Sequence, residues 1–202
     1  MLASELPKKI LATVGEALVI SNIRYGCSLY VRPRLCKSDP KYGESRDLQV
    51  FQNKLMRLIT RTKVEQRSTE QLLEETKMKS VNHMVVYHLA METKNCLYNG
   101  SCEYLESCLR SNPKKNKIIT RTETKGDLYV PQKMGNGDWL YHACKVWNSI
   151  PHGIRDKIQE AKKNVAELRK NWHTLMAMEL DRSAECEFRK DVLMWLDKHI
   201  PT

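Results

Sequence analysis

Apolar residues recur through most of this chain with the 3.6-residue period of helices. Leu6 to about Tyr30 predicts a first helix. Pro7 suits its opening turn, where a missing N–H costs nothing, and Ile10, Val14, Ala17 and Leu18 share one face. Gly26 and Pro33 close it, and residues 36–45 read as a loop. The stretch 45–62 has the clearest two-faced pattern. Leu48, Phe51, Leu55 and Leu58 step by three and four as a buried stripe, while Lys54, Arg57 and Arg61 form a row on another side. Ser68 and Gln71 spell a capping box that starts a short helix to about Met78. Ser80 caps the next helix, which runs to about Tyr98 with Val81, Met84, Val85 and Leu89 inward, and residues 102–110 add a turn or two.

The pattern breaks at residue 111. "SNPKKNKIITRTETKGDLYVPQKMGNGD" is polar, basic and rich in breakers, with one short strand predicted at 127–130. Helix returns over 138–149, where Leu140, Ala143, Cys144 and Trp147 share a buried face. It stops at "NSIPHG", because Pro151 turns Ile150 away from helical angles. Ile158, Ala161, Val165, Leu168, Trp172 and Leu175 then alternate three and four as a heptad-like seam. This seam either packs on the last helix of the same chain or pairs with a partner helix or its own copy. Packing within the chain is the expected outcome. A final helix spans about 183–199, with Phe188, Val192, Trp195 and Leu196 inward. The fold class is therefore mainly α: small helical bundles joined by a basic loop, with at most one short β segment. The division is 1–110, a basic linker 111–137, and 138–202.

Length allows one ordinary domain or two small ones. Of 202 residues, 34 are Lys or Arg and 24 are Asp or Glu, a formal net charge of +10. Such a surplus favours polyanions through long-range attraction and counterion release. Seven Cys, at 27, 36, 96, 102, 108, 144 and 186, form no CxxC pair. They read as reduced thiols, which points to a reducing, nuclear or cytoplasmic compartment. The first residues carry no signal-peptide order, and no apolar run approaches the roughly 20 residues of a membrane span, so no membrane partner is expected.

Candidate chemistry is sparse. Cys96, Cys102 and Cys108 are spaced by six, wider than the two to four residues that zinc pairs prefer, so they read as idle thiols. His88 lies on the apolar side of its helix with Glu92 one turn on, and reads as a satisfied boundary histidine. Ser149 beside His152 fits turn chemistry better than a nucleophilic dyad. No phosphate-binding glycine motif and no paired carboxylates occur, since the Glu74–Glu75 doublet diverges on a helix. No metal, no cofactor and no catalytic residue is expected. Two cationic clusters remain. One is Lys54, Arg57, Arg61, Lys63 and Arg67; the other is Arg110, Lys114, Lys115, Lys117, Arg121 and Lys125. Both suit contact with the phosphate backbone of RNA or DNA, and a solvated face is the alternative.

Four stretches, taken in order, and more weakly the C-terminal end, resemble the region that follows the polymerase palm in jockey-type non-LTR retrotransposon reverse transcriptases. "SNIRYGCSLY" (21–30) is similar to that family's S-x-x-x-YG segment. "LQVFQNKLMRLIT" (48–60) resembles its LQ-x-x-QN-K-x-x-R helix, and the Thr-Arg and Val-Pro pairs within 120–131 resemble the segment after it. "VWNSIPHGIR" (146–155) is similar to its WNSLP-x-x-(I/L)R run, and "EFRKDVLMWLDKHI" resembles its terminal helix. The resemblance covers about residues 5–156 and marks Tyr25, Gly26, Gln52, Asn53, Trp147, Asn148, Pro151 and Arg155 as structural family positions. It implies that 1–110 is thumb-like and descends from an RNA-directed DNA polymerase that copies RNA into DNA. The family's fingers, palm, paired catalytic aspartates and endonuclease domain have no counterpart in this stretch, so the expectation is a non-catalytic nucleic-acid-binding fragment. A helical protein-interaction module and a relic without function are the alternatives, and a monomer is favoured.

Overall fold

The computed structural model describes residues 6–39, 43–64, 66–110, 127–131, 139–171 and 173–201. Among these residues the chain is helical and holds no strand. The helices are α1 (Lys8–Gly15), α2 (Ser21–Arg24), α3 (Cys27–Tyr30), α4 (Gly43–Thr60), α5 (Thr69–Thr76), α6 (Val81–Tyr98), α7 (Glu103–Arg110), α8 (Trp139–Ser149), α9 (His152–Lys170) and α10 (Thr174–His199). Contacts divide the chain into two compact units. One is Met1–His88 with Ile200–Thr202, and the other is Leu89–His199, so the division falls inside α6.

In the first unit a π-helical turn, Glu16–Ile20, joins α1 to α2. It inserts a residue into the helical repeat, so the inward line runs Leu11, Gly15, Ile20, Ile23, Cys27. This corrects the expected face: Ile10, Val14, Ala17 and Leu18 all point outward. Gly15 sits where α1 crosses α4, and a Cβ there would fall 2.7 Å from Leu55 Cδ1. Gly26 holds φ at 75°, which glycine adopts without strain, and turns the chain into α3.

The stripe expected inside α4 is also corrected. Phe51 is 52% exposed and Leu58 is exposed, while Gln52, Asn53, Met56, Ile59 and Thr60 are buried. Polar side chains lie inward because each finds a partner. Gln52 Nε2 donates to Lys79 O at 2.8 Å, and Asn53 Nδ2 donates to Thr69 Oγ1 at 2.9 Å. Gln49 Oε1 accepts from Val81 N at 2.9 Å, which satisfies a free donor at the start of α6. The capping box on α5 is present in both directions, and Lys77 (φ 56°) ends that helix. Met56, Leu72 and Leu73 form an apolar cluster between α4 and α5.

In the second unit α9 and α10 form an antiparallel hairpin. Ile158 and Val165 of the seam are buried, as are Phe188, Val192, Trp195 and Leu196 of α10. The seam ends earlier than its pattern implies. α9 stops at Lys170, so Leu175 belongs to α10 and is 78% exposed, while Trp172 lies outside the described residues. α10 begins nine residues before the predicted start.

Lys94 of α6 is 1% exposed. Its ammonium donates to Glu185 Oε2 of α10 at 2.7 Å, and Glu185 Oε1 accepts from Lys162 of α9 at 3.1 Å and Asn99 at 3.0 Å. Lys162 also pairs with Asp181. Burial lowers the Lys94 pKa despite Glu185. Burial of Glu185 alone would raise its pKa, but the hydrogen bonds from Lys94, Asn99 and Lys162 outweigh it and hold the carboxyl at about 2. A depressed folded pKa contributes stability above the unfolded carboxyl range and loses it as pH falls toward the folded value. Glu185→Gln strands a buried ammonium and costs about 3–5 kcal/mol at neutral pH, read by urea unfolding. The wild-type excess over this variant shrinks between about pH 5 and pH 2. A gap that stays constant across that range would contradict the linkage.

Candidate nucleic-acid interface

The first cationic cluster is not five equal cations. Lys54 and Lys63 are exposed, with no side-chain partner among the described residues. Arg57 is half-buried and carries a buried Nε without a hydrogen-bond partner among the described residues. Arg61 has φ 57°, ends α4, and donates from Nη2 to Leu6 O at 2.8 Å. Arg67 pairs with Glu75. Lys114, Lys115, Lys117, Arg121 and Lys125 lie outside the described residues. Arg110, at the edge of that cluster, is bound to Glu106 at 2.8 Å and donates to Leu97 O.

The charge is unevenly placed. Residues 1–88 hold 15 Lys and Arg against nine Asp and Glu, and residues 111–126 hold five against one. The remaining residues balance at 14 of each, so the whole +10 surplus belongs to these two stretches. The first coincides with the first compact unit apart from its three C-terminal residues.

The second stretch leads into a fixed corner. Trp147 is 2% exposed, with its ring centroid 6.1 Å from Tyr98 and 6.1 Å from Phe188. It therefore ties α8 to α6 and α10. The next residue, Asn148, grips residues 127–131 from the side. Its Oδ1 accepts from Leu128 N at 2.8 Å, and its Nδ2 donates to Leu128 O at 2.7 Å. The side-chain amide thus takes both backbone groups that a neighbouring strand would use, and residues 127–130 form no strand. Pro151 precedes the first residue of α9, and Ile150 is buried. Arg155, also buried, donates from Nη2 to Asp127 Oδ1 at 2.8 Å and lies 3.1 Å from His152 Nε2. Residues 127–131 and 146–155 are thus neighbours in the fold.

Ser149 is engaged at the helix end. Its hydroxyl donates to Val146 O at 2.6 Å and closes the helix end. Burial pushes the Cys144 thiol up to about 12 and raises that of Cys96, which leaves both poor nucleophiles and poor ligands. Among the described residues no three His, Cys, Asp or Glu side chains gather as a metal would need. Trp139 Nε1 donates to Glu92 at 2.9 Å, and His88 sits edge-on to Tyr87. Sequence reasoning missed the Lys94–Glu185 pair, and it marked Asn148 as a structural position without its partner Leu128. A lysine inside an apolar helix face was the available signal for the first; the partner of the second lies twenty residues away in sequence, where no local signal points.

No protein-family model matches the sequence, and no curated protein or solved structure gives a significant match. No helix among the described residues is long and apolar enough to cross a membrane.

Asn148→Ala removes both bonds to Leu128 and costs about 1–3 kcal/mol, with faster hydrogen exchange at the Leu128 amide. Trp147→Ala leaves a cavity worth about 3–5 kcal/mol. A thermal shift of only a degree for the second would contradict the corner.

Proposed function

We propose that this chain is a non-catalytic nucleic-acid-binding fragment related to the post-palm region of jockey-type non-LTR retrotransposon reverse transcriptases. It grips an RNA- or DNA-containing duplex through phosphates, in a nuclear or cytoplasmic setting. The observation that carries this reading is the concentration of the entire charge surplus in residues 1–88 and 111–126. Lys54 and Lys63 are unpaired at the surface of the first unit, where ammonium groups can replace condensed counterions. The ordered motifs support the kinship, and the neighbouring positions of Asn148, Arg155 and residues 127–131 give those motifs a common structural purpose. Binding of this kind reads backbone rather than sequence, because no base-reading side chain is required. A helical interaction module is the second reading, favoured by the apolar residues that α10 leaves exposed.

The test is a gel-shift titration on an RNA–DNA hybrid and on duplex DNA at several salt concentrations. Binding weakens with salt at a log–log slope of about 0.9 per neutralised phosphate on B-form DNA. Lys54→Ala with Lys63→Ala flattens that slope by about one to two and leaves helicity unchanged, because both side chains are exposed. The structure makes these cleaner probes than Arg57 or Arg61, which also serve the fold. Absence of duplex binding at low salt would sink the reading. A product from primer extension with magnesium would overturn its non-catalytic half.

A further inference from the structure

α10 has two opposite faces. The inner one, with Phe188, Val192, Trp195 and Leu196, packs inside its own unit. The outer one is exposed along its length and is not uniformly polar. Leu175 and Met176 stand at its beginning, Leu193 and Met194 near its end, with Met176 60% and Met194 63% exposed. Between them lie Glu179, Ser183, Cys186 and Lys190, all exposed. Met176, Glu179, Ser183, Cys186, Lys190 and Leu193 are spaced alternately by three and four, which is the seam of a two-helix coiled coil. Glu179 and Lys190 have no ion-pair partner among the described residues.

We propose that a second copy of this chain packs on this face, the two α10 helices running antiparallel about a two-fold axis level with Ala184 and Glu185. In that register Met176 meets Leu193 of the second copy, Glu179 meets its Lys190, and Ser183 meets its Cys186. Each contact occurs twice, as an isologous interface requires. Both apolar ends are covered at once, and the unpaired charges find opposite partners. Parallel pairing would instead stack Glu179 on Glu179 and Lys190 on Lys190. Sliding the antiparallel register by a heptad uncovers one apolar end and unpairs the charges. The small Ser183 and Cys186 let the helices approach at the centre. Arg182 and Arg189 line one flank and oppose association, and a lone helix pair falls among the smaller interfaces, so the dimer is weak, with a Kd on the order of micromolar. It departs from the monomer expected from sequence, and it does not depend on nucleic-acid binding.

Sedimentation of the full chain from about 1 to a few hundred micromolar tests this. The weight-average mass rises from 23.6 kDa toward twice that value. Glu179→Lys alone and Lys190→Glu alone each put like charges opposite one another and weaken the dimer about tenfold or more. The double variant Glu179→Lys with Lys190→Glu restores it, because the pair is merely exchanged. All four proteins keep the same helicity, since both positions are exposed. Under mild oxidation by diamide, Ser183→Cys gives a covalent dimer that disappears when Cys186→Ser is added. A chain that stays monomeric overturns the proposal, whatever other protein the face then serves. So does a dimer that ignores both single reversals, or a double variant that fails to recover.

Discussion

A lysine ammonium held away from water dictates the arrangement of the second unit. Lys94 lies one turn before the end of α6, where water is almost wholly excluded, and Glu185 must stand within hydrogen-bond reach of it. Desolvating two charges costs as much as their attraction returns, so the pair adds little stability over well-packed apolar residues. Its effect is on register. Apolar contacts alone fix the register of such a hairpin less strictly than a buried charge pair does. Sliding α10 by a turn past Lys94 would leave a bare ammonium inside the unit. Lys162 and Asp181 extend the same constraint from α10 to α9. The helices of this unit are thus indexed by charge and filled by apolar side chains.

A second device recurs in both units. A helical fold without sheets leaves irregular connections whose backbone groups need partners. Here side-chain amides supply them. Asn148 binds both the N–H and the carbonyl of Leu128. Asn82 does the same to Arg34, accepting from its N–H at 2.8 Å and donating to its carbonyl at 2.9 Å, and reaches Pro201 O as well. Gln49 and Gln52 treat the approach to α6 in this way. An amide is suited to the task because it donates and accepts in one plane, as a strand neighbour would.

That device explains where a reading of hydrophobic periodicity succeeds and fails. The face of α6 through Val81, Met84, Val85 and Leu89, the inner face of α10 and the capping box of α5 were legible, because apolar side chains or a local motif settle them. The corner at Trp147 was legible for the same reason, since Pro151 and a large aromatic act locally. α4 was misread. Its inward side is chosen by Gln52 and Asn53, whose partners at Lys79 and Thr69 come from distant backbone and hydroxyl, and period alone cannot rank a satisfied amide above Phe51. α1 was misread because a five-residue turn shifts the inward line, and no residue type marks such a turn. Among candidate site residues, Lys54 and Lys63 are exposed and Arg57 is half-buried. The members of the cluster divide by what else they touch: Arg61 and Arg67 are committed to Leu6 and Glu75, and Lys54 and Lys63 are not.

The distribution of charge and the outer face of α10 bear on one another. The described part of the second unit is close to neutral by residue count, so two copies meeting there do not repel through net charge. The surplus resides in residues 1–88 and 111–126. Two chains so joined would carry two basic surfaces on one particle. A duplex held by the first would then see the second at an effective concentration fixed by geometry, not by bulk protein. Modest phosphate contacts on each chain, of the kind Lys54 and Lys63 can make, would combine into firm binding to a long duplex but not to a short one. Duplex length, more than base sequence, is therefore the variable to which such an assembly responds.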